Sequence, residues 1–347
     1  MKVLVRADAS NQIGSGHVMR CLALVDGMRP QATDVHFVCR QLPGEMHGLI
    51  EAQGFRCSLL PADQSDSDLS LDQDRDAERT LALSGTVDWT IVDHYGIDDS
   101  WEQAMRGHCR RLMVIDDLVD RAHDCDVLLD QSFGRKPEDY EQLVDTDCRV
   151  LAGTDFALLR PEFAANRAAA LARREEGADI RHVLVSMGGF DPDNKALEVL
   201  EALAGTASAS EWTVSVVKGA ASAGSDASMD TFADSFGELD IRSGVSDMAE
   251  RMSVADIAIG AAGTSSWERC CMGLPALIYI YAENQREIAS KLEDAGAIRI
   301  WRSGSELVTR FDEFINDVSL LRSAVAAAAP ICDGLGVERV VAVMVSC

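Results

Sequence analysis

Short apolar runs that each stop in a cluster of polar residues constrain this chain more than any other feature of its sequence. Val3 to Val5, Val35 to Cys39, Thr90 to Val92, Leu112 to Ile115, Val127 to Leu129 and Val150 to Gly153 all have this form. Helical stretches separate them, as at Glu45 to Gln53 and Ala77 to Leu83, and Ser65 to Asp76 reads as a polar, acidic loop. Strand and helix in alternation predict a parallel sheet with crossover helices, its polar strand ends gathered on one edge. The plan restarts at His182 to Ser186 and continues through Trp212 to Val217, Ile241, Ile257 to Ile259 and Ala276 to Tyr281. Between the halves, the alanine-rich stretch from Ala164 to Arg181 reads as a helix and a polar connector. The prediction is an α/β fold in two domains: residues 1–163, a linker over 164–181, and residues 182–347 with closing helices at Asp317 to Ala328 and Gly336 to Val345.

Composition bounds what such a fold can bind. A chain of 347 residues that is 47% apolar can fill two cores. Its net charge of −25 argues against nucleic acid and against an anionic membrane surface, both of which need a basic face. A small nucleotide is compatible with it, because one pocket can be locally positive. No long apolar segment free of charge occurs and the sequence starts directly with a strand, so neither membrane insertion nor a secretory signal is expected, and a cytoplasmic location is. The ten cysteines lack metal-ligand spacing, so neither zinc nor disulfides are expected.

The first polar strand end is the richest. The sequence KVLVRADASNQIGSGHVMR runs from a strand through a loop with Gly14 and Gly16 to His17, which opens an amphipathic helix carrying Val18, Cys21, Leu22, Leu24 and Val25 on one side. Backbone N–H groups of a first helical turn lack partners and carry partial positive charge, which suits an anion. Glycines admit a ligand close to the backbone and leave room beside the imidazole. Asp8 at the end of the strand is a candidate to orient His17 or to hold a water. A second cluster, Asp93-His94-Tyr95-Gly96, ends the Thr90 run, with Tyr95 more suited to packing than to chemistry.

Two further glycine loops lie in the second half. Met187-Gly188-Gly189-Phe190-Asp191 follows one strand, and Gly260 to Glu268 follows another. There Gly263 allows a tight turn, while Thr264, Ser265 and Ser266 offer hydroxyls and N–H groups to a phosphate. Glu268 lies one turn after Thr264 on the same side, where a carboxylate can accept two ribose hydroxyls. Neither G-x-G-x-x-G nor G-K-[ST] occurs at these loops, which argues against a dinucleotide oxidoreductase and a P-loop enzyme. A nucleoside-diphosphate site is the better reading of the second domain.

Taken together, Val5 to His17, Val92-Asp93-His94-Tyr95-Gly96, Gly153 with Ala157-Leu158-Leu159-Arg160, Met187-Gly188-Gly189 with Asp191, and Asn284-Gln285 resemble the UDP-diacetamido-trideoxyhexose hydrolases of pseudaminic acid biosynthesis. The resemblance runs from Lys2 to about Glu293, and the loop near Gly263 is shared with the related peptidoglycan N-acetylglucosaminyltransferase. It implies a GT-B fold, in which two Rossmann-like domains face each other across a cleft. It also implies hydrolysis of a UDP-linked 2,4-diacetamido-2,4,6-trideoxyhexose to UDP and free sugar, with no metal and no cofactor. Water would attack the anomeric carbon with inversion, His17 would be its general base, and Asn284 would lie near the sugar and diphosphate. Arg160 and Gln285 join the substrate-binding set on the same resemblance, with Asp93 and His94 candidates to bind the sugar and the backbone from Val245 to Met248 a candidate for the uracil edge. A UDP-sugar is then the one partner implied. Two other readings remain open on the residues alone: a GT-B glycosyltransferase, which needs room for an acceptor, and a UDP-sugar-binding protein, which needs no base at His17.

Overall fold

The computed structural model describes residues 1–62, 70–175, 179–189, 191–219 and 226–347. By packing they form two units, Met1–Leu159 with Leu335–Cys347, and Arg160–Gly334. The first unit contains β1 (Lys2–Ala7), α1 (Gly16–Gly27), β2 (Asp34–Arg40), α2 (His47–Ala52), β3 (Arg56–Leu60), α3 (Gln73–Ser84), β4 (Val87–Asp93), α4 (Asp99–Met105), β5 (Cys109–Ile115), β6 (Val127–Asp130) and β7 (Arg149–Ala152). Its seven strands pair in the order β3-β2-β1-β4-β5-β6-β7, all parallel. Residues Val3 to Ala7 of β1 are buried on both faces, which is why this strand reads as a continuous apolar run rather than an alternating one. One face is covered by α1 through Val18, Cys21, Leu24 and Val25, and by the C-terminal helix Gly336–Ser346 through Val340 and Met344. Trp101 and Met105 of α4 pack on the other face, with Leu4, Val38 and Leu128.

The second unit contains α5 (Pro161–Glu175), β8 (His182–Ser186), α6 (Lys195–Ala204), β9 (Thr213–Lys218), α7 (Asp226–Met229), β10 (Glu238–Ser243), α8 (Met248–Val254), β11 (Ile257–Ala261), α9 (Ser265–Cys271), β12 (Ala276–Tyr279), α10 (Arg286–Asp294), β13 (Ile298–Ile300), α11 (Gly304–Asn316) and α12 (Val318–Ala328). Its six strands are parallel in the order β10-β9-β8-β11-β12-β13. Val199, Leu203, Trp212, Trp301 and Phe311 centre its core.

Both sheets reverse their strand order once. In the first, the chain leaves β1 toward β2 and later returns to the other side of β1 as β4. In the second, β8 and β11 stand in the same relation. Ligand sites of open parallel sheets lie beyond the strand ends at such a reversal. His17 and Asp93 follow β1 and end β4, while Gly188 and Gly263 follow β8 and β11, so each unit presents its informative loops at that place.

The expected boundaries shift in detail. The stretch expected as a linker is largely the single helix α5, which packs in the second unit, with 176–178 outside the described residues. The C-terminal helix, expected with the second domain, packs in the first, where its valines complete the core beside α1. Of the expected acidic loop, 63–69 lie outside the described residues, and α3 already starts at Gln73, capped by the Asp72 carboxylate on the Arg75 N–H. Strands β3 and β13 were not anticipated; both are short edge strands, and β3 buries only its last residue well.

Docking of the last helix leaves no room for a side chain at its start. A Cβ on Gly336 would lie 2.2 Å from the Ala157 carbonyl oxygen and 2.6 Å from the Ala157 nitrogen, and backbone atoms cannot swing aside. Gly336→Ala is therefore expected to lower stability by about 1–3 kcal/mol, the usual cost of overpacking. Denaturant titration checks this, and an unchanged midpoint would contradict the tight docking.

Candidate functional site

His17 is the second residue of α1 and only 6% exposed. Its Nδ1 lies 2.5 Å from Oδ1 of Asp93, the last residue of β4. A carboxylate can only accept, so Nδ1 carries the proton and Nε2 keeps its lone pair for another partner. Arg20, one turn along α1, grips the same carboxylate with Nε to Oδ2 at 2.6 Å and Nη2 to Oδ1 at 2.7 Å. Its Nη1 reaches Asp117 at 2.9 Å. Asp93 is wholly buried, which alone would raise its pKa, yet the charge of Arg20 and the hydrogen bonds from Arg20 and His17 hold its carboxyl well below the ordinary range. Tyr95 packs against the imidazole in a T-shaped arrangement, ring centres 4.6 Å apart. The imidazole is thus held on one nitrogen and one ring face.

The loop before α1 is fixed as well. Ser10 and Gly14 exchange backbone hydrogen bonds of 3.3 and 2.9 Å, and Ser10 Oγ accepts from the N–H groups of Gln12 and Ile13. Gly14 has φ +77°, a conformation that favours glycine. Gly16 is the first residue of α1, whose start has no side-chain cap.

Asp8 does not touch His17. It is enclosed by Arg6 Nη1 at 2.5 Å, Arg40 Nε at 2.6 Å, the Arg40 N–H at 2.7 Å and His94 Nε2 at 3.1 Å. Arg6 also holds Asp76 of α3 with two contacts of 2.8 and 3.0 Å. Burial opposes ionisation of Asp8, and Arg6 and His94 outweigh it, leaving the pKa well below the usual value. His94 accepts from the Gly96 N–H on Nδ1 and therefore donates from Nε2 to Asp8, while burial lowers its pKa. Asp93, expected at the sugar, is thus the partner of His17, and Asp8 and His94, expected at the site, belong to a buried ionic cluster that ties β1, β2 and α3.

In the second unit, Gly188 has φ +93°, and Gly219 approaches Gly189 so closely that a Cβ would overlap its carbonyl. The α6 start behind this loop is occupied by the chain itself. Asp191 accepts from the N–H groups of Lys195 at 2.7 Å and Ala196 at 2.9 Å, and from the Tyr281 hydroxyl at 2.6 Å. After β11 the picture differs. Gly263 is exposed, Thr264 precedes α9 without a side-chain cap, and the oxygens of Ser265 and Ser266 each accept from Arg269 at 3.1 Å. Glu268 is half-buried; burial pushes its carboxyl above the ordinary glutamate value against the pull of Arg160 and Arg269. Arg160 pairs with Glu162 at 2.9 Å and reaches the Ser246 carbonyl, beside the backbone proposed for a uracil edge. Gln285 spends its amide oxygen on the N–H groups of Tyr281 and Ala282. Asn284 lies in the one-turn segment Glu283–Gln285, and its side chain, like the whole of Phe190, is outside the described residues. Sequence reasoning missed Arg20, Asp117 and Arg269. Only Arg20 carried a signal, its spacing of three from His17 on a helix.

Among solved structures, MurG of Acinetobacter baumannii matches 100% of this chain and 99% of its own, with a TM-score of 0.67 at 16% identity. The fold is of the GT-B type. UDP-GlcNAc 2-epimerase of Neisseria meningitidis, solved with UDP-GlcNAc, matches at TM-score 0.60 and 10% identity over the full length of both chains. By sequence, the chain is 33% identical over 204 residues to the UDP-2,4-diacetamido-2,4,6-trideoxy-beta-L-altropyranose hydrolase of Campylobacter jejuni, covering 58% of this chain and 66% of that protein. It is 28% identical over 206 residues to the spore coat polysaccharide biosynthesis protein SpsG of Bacillus subtilis, covering 58% of this chain and 59% of that one. No family model matches. Among the described residues, no helix is long and apolar enough to cross a membrane.

The buried carboxylates make stability depend on acid. Asp8, Asp76 and Asp93 have folded pKa values lowered from the ordinary one. Their contribution is therefore full above the unfolded value near 4 and is lost progressively as pH falls below it toward the lowered folded values. Asp93→Asn is expected to cost about 3–5 kcal/mol at neutral pH, because Arg20 stays buried with only Asp117 left to pair with, and to flatten the acid loss. Unfolding midpoints of both proteins between pH 7 and 3 check this; parallel curves would contradict it.

Proposed function

We propose that this chain hydrolyses a UDP-linked 2,4-diacetamido-2,4,6-trideoxyhexose to UDP and the free sugar, as a step in pseudaminic acid biosynthesis. The observation that carries the chemistry is the imidazole of His17, fixed through Nδ1 on Asp93 with Nε2 left to accept. In this reading Nε2 takes a proton from water as the water oxygen bonds to the anomeric carbon from the face opposite the diphosphate. The bond from that carbon to the diphosphate oxygen breaks, and its electron pair leaves with UDP. A terminal phosphate has a second pKa of about 6, so the leaving group departs without a protonating acid and one base suffices. Asp93 remains a carboxylate and stabilises the imidazolium, while Arg20 keeps it from rotating. Tyr95 lines the imidazole. No metal has a role in these steps.

UDP is assigned to the second unit. Gly263, Thr264 and Ser265 would face the diphosphate, Glu268 the ribose and the backbone near Ser246 the base, with Gly188 and Gly189 giving close backbone approach. Because Asp191 occupies the start of α6, the hydroxyls after β11 carry more of the diphosphate contact than that helix does. Asn284 is assigned to the sugar and diphosphate on the resemblance described above. The name of the Campylobacter relative supports this substrate class, and the GT-B fold supports UDP-sugar binding.

His17→Ala is expected to lower kcat by roughly 10²- to 10⁴-fold, the usual contribution of a positioned base, with calorimetric UDP affinity unchanged. Turnover that survives the substitution with UDP still bound would overturn the assignment of the base.

A further inference from the structure

Arg269 of α9 is 3% exposed, and among the described residues no carboxylate stands within ion-pair distance of it. Its partners are all neutral oxygens: Nη1 donates to Ser265 Oγ at 3.1 Å, and Nη2 donates to Ser266 Oγ at 3.1 Å and to the Ala261 carbonyl at 2.8 Å. Room for it comes from Gly260, where a Cβ would sit 3.1 Å from Nη1 and 2.5 Å from the Ser186 carbonyl oxygen. Burial lowers its pKa only to about 10, so it stays charged at neutral pH. Glu268 feels that charge without pairing to it. A buried cation with no anion beside it is costly, and an anionic ligand nearby offsets that cost.

The two serines show how that charge reaches outward. A guanidinium has donors only, so each serine oxygen it contacts must use a lone pair and turn its own O–H elsewhere. Ser266 Oγ also accepts from the Gly263 N–H at 3.4 Å, which fills its second lone pair. Its proton is then the one group left to bond, and Ser266 is 3% exposed. Among the described residues neither hydroxyl donates to an acceptor. Two O–H donors backed by a buried cation form a receptor for an anion.

We propose that Arg269 is a positioning residue, which fixes the hydroxyls of Ser265 and Ser266 as donors to the diphosphate of the bound nucleotide without touching it. The inference deepens the nucleotide reading of the second unit and rests on it. Lysine cannot replace this function, because a single ammonium does not span two hydroxyls and a carbonyl in one plane.

Calorimetric titration of the full chain with UDP and with uridine tests it. Arg269→Gln and Arg269→Lys are each expected to weaken UDP binding roughly tenfold to a hundredfold, the range for hydrogen bonds to charged groups, with uridine affinity unchanged. Ser265→Ala with Ser266→Ala is expected to give a similar loss, and adding Arg269→Gln to that pair about twofold more at most. The inference is overturned if UDP affinity persists in either arginine variant or in the serine pair, if uridine affinity falls in parallel, or if the arginine and serine losses multiply. The serine pair decides the matter if the arginine variants do not fold. Failure of the wild-type chain to bind either ligand would overturn the nucleotide reading and this inference together, and is distinguished by occurring without any substitution.

Discussion

One carboxylate, taken wholly out of water at the end of β4, sets the arrangement of the first unit's site. Asp93 must find donors for both oxygens, because an unpaired buried charge costs several kcal/mol. It finds them on α1, from Arg20 twice and from His17 once. That requirement joins β4 to the helix following β1, and it fixes which imidazole nitrogen carries the proton. The chemistry proposed for His17 is thus a consequence of how a buried charge is neutralised. Tyr95 packs against the imidazole, and Asp117 holds Arg20.

The two units solve the same fold with different polar interiors. At the strand-order reversal of the first, negative charge is buried and arginines come to it. At the reversal of the second, positive charge is buried beneath Ser265 and Ser266, and among the described residues no carboxylate comes to it. A base is served by the first kind of surroundings and a polyanion by the second. This division agrees with the overall charge of −25, since an acidic chain can still carry a locally positive loop.

Much of this was legible in the sequence because it is local. The strand, glycine loop and helix around His17 lie within one continuous stretch, and so do the loops at Gly188 and Gly263. Pairing across the sheet is not local. His17 and Asp93 are 76 residues apart and meet only because β4 lies beside β1, which a run of apolar residues does not specify. The same gap misassigned Asp8, which sits nearer to His17 in sequence but is drawn to Arg6 and Arg40. Arg20 and Arg269 escaped notice because nothing local distinguishes a buried arginine from an exposed one. Asp191 was read as part of a glycine loop at a candidate ligand site, yet a carboxylate before a helix caps it as readily as it meets a ligand. The C-terminal helix was visible as a helix, while the core it completes depends on the fold of the rest.

The central claim is that water attacks the anomeric carbon of a UDP-linked diacetamido sugar. Proton NMR of the chain with that substrate in ¹⁸O-labelled water, with UDP-N-acetylglucosamine as control, together with mass analysis of the products, tests it most directly. The account predicts release of sugar from the diacetamido substrate alone, with the label on the sugar and the anomer opposite to the substrate's appearing first. Label on UDP would mean attack at phosphorus and would contradict it.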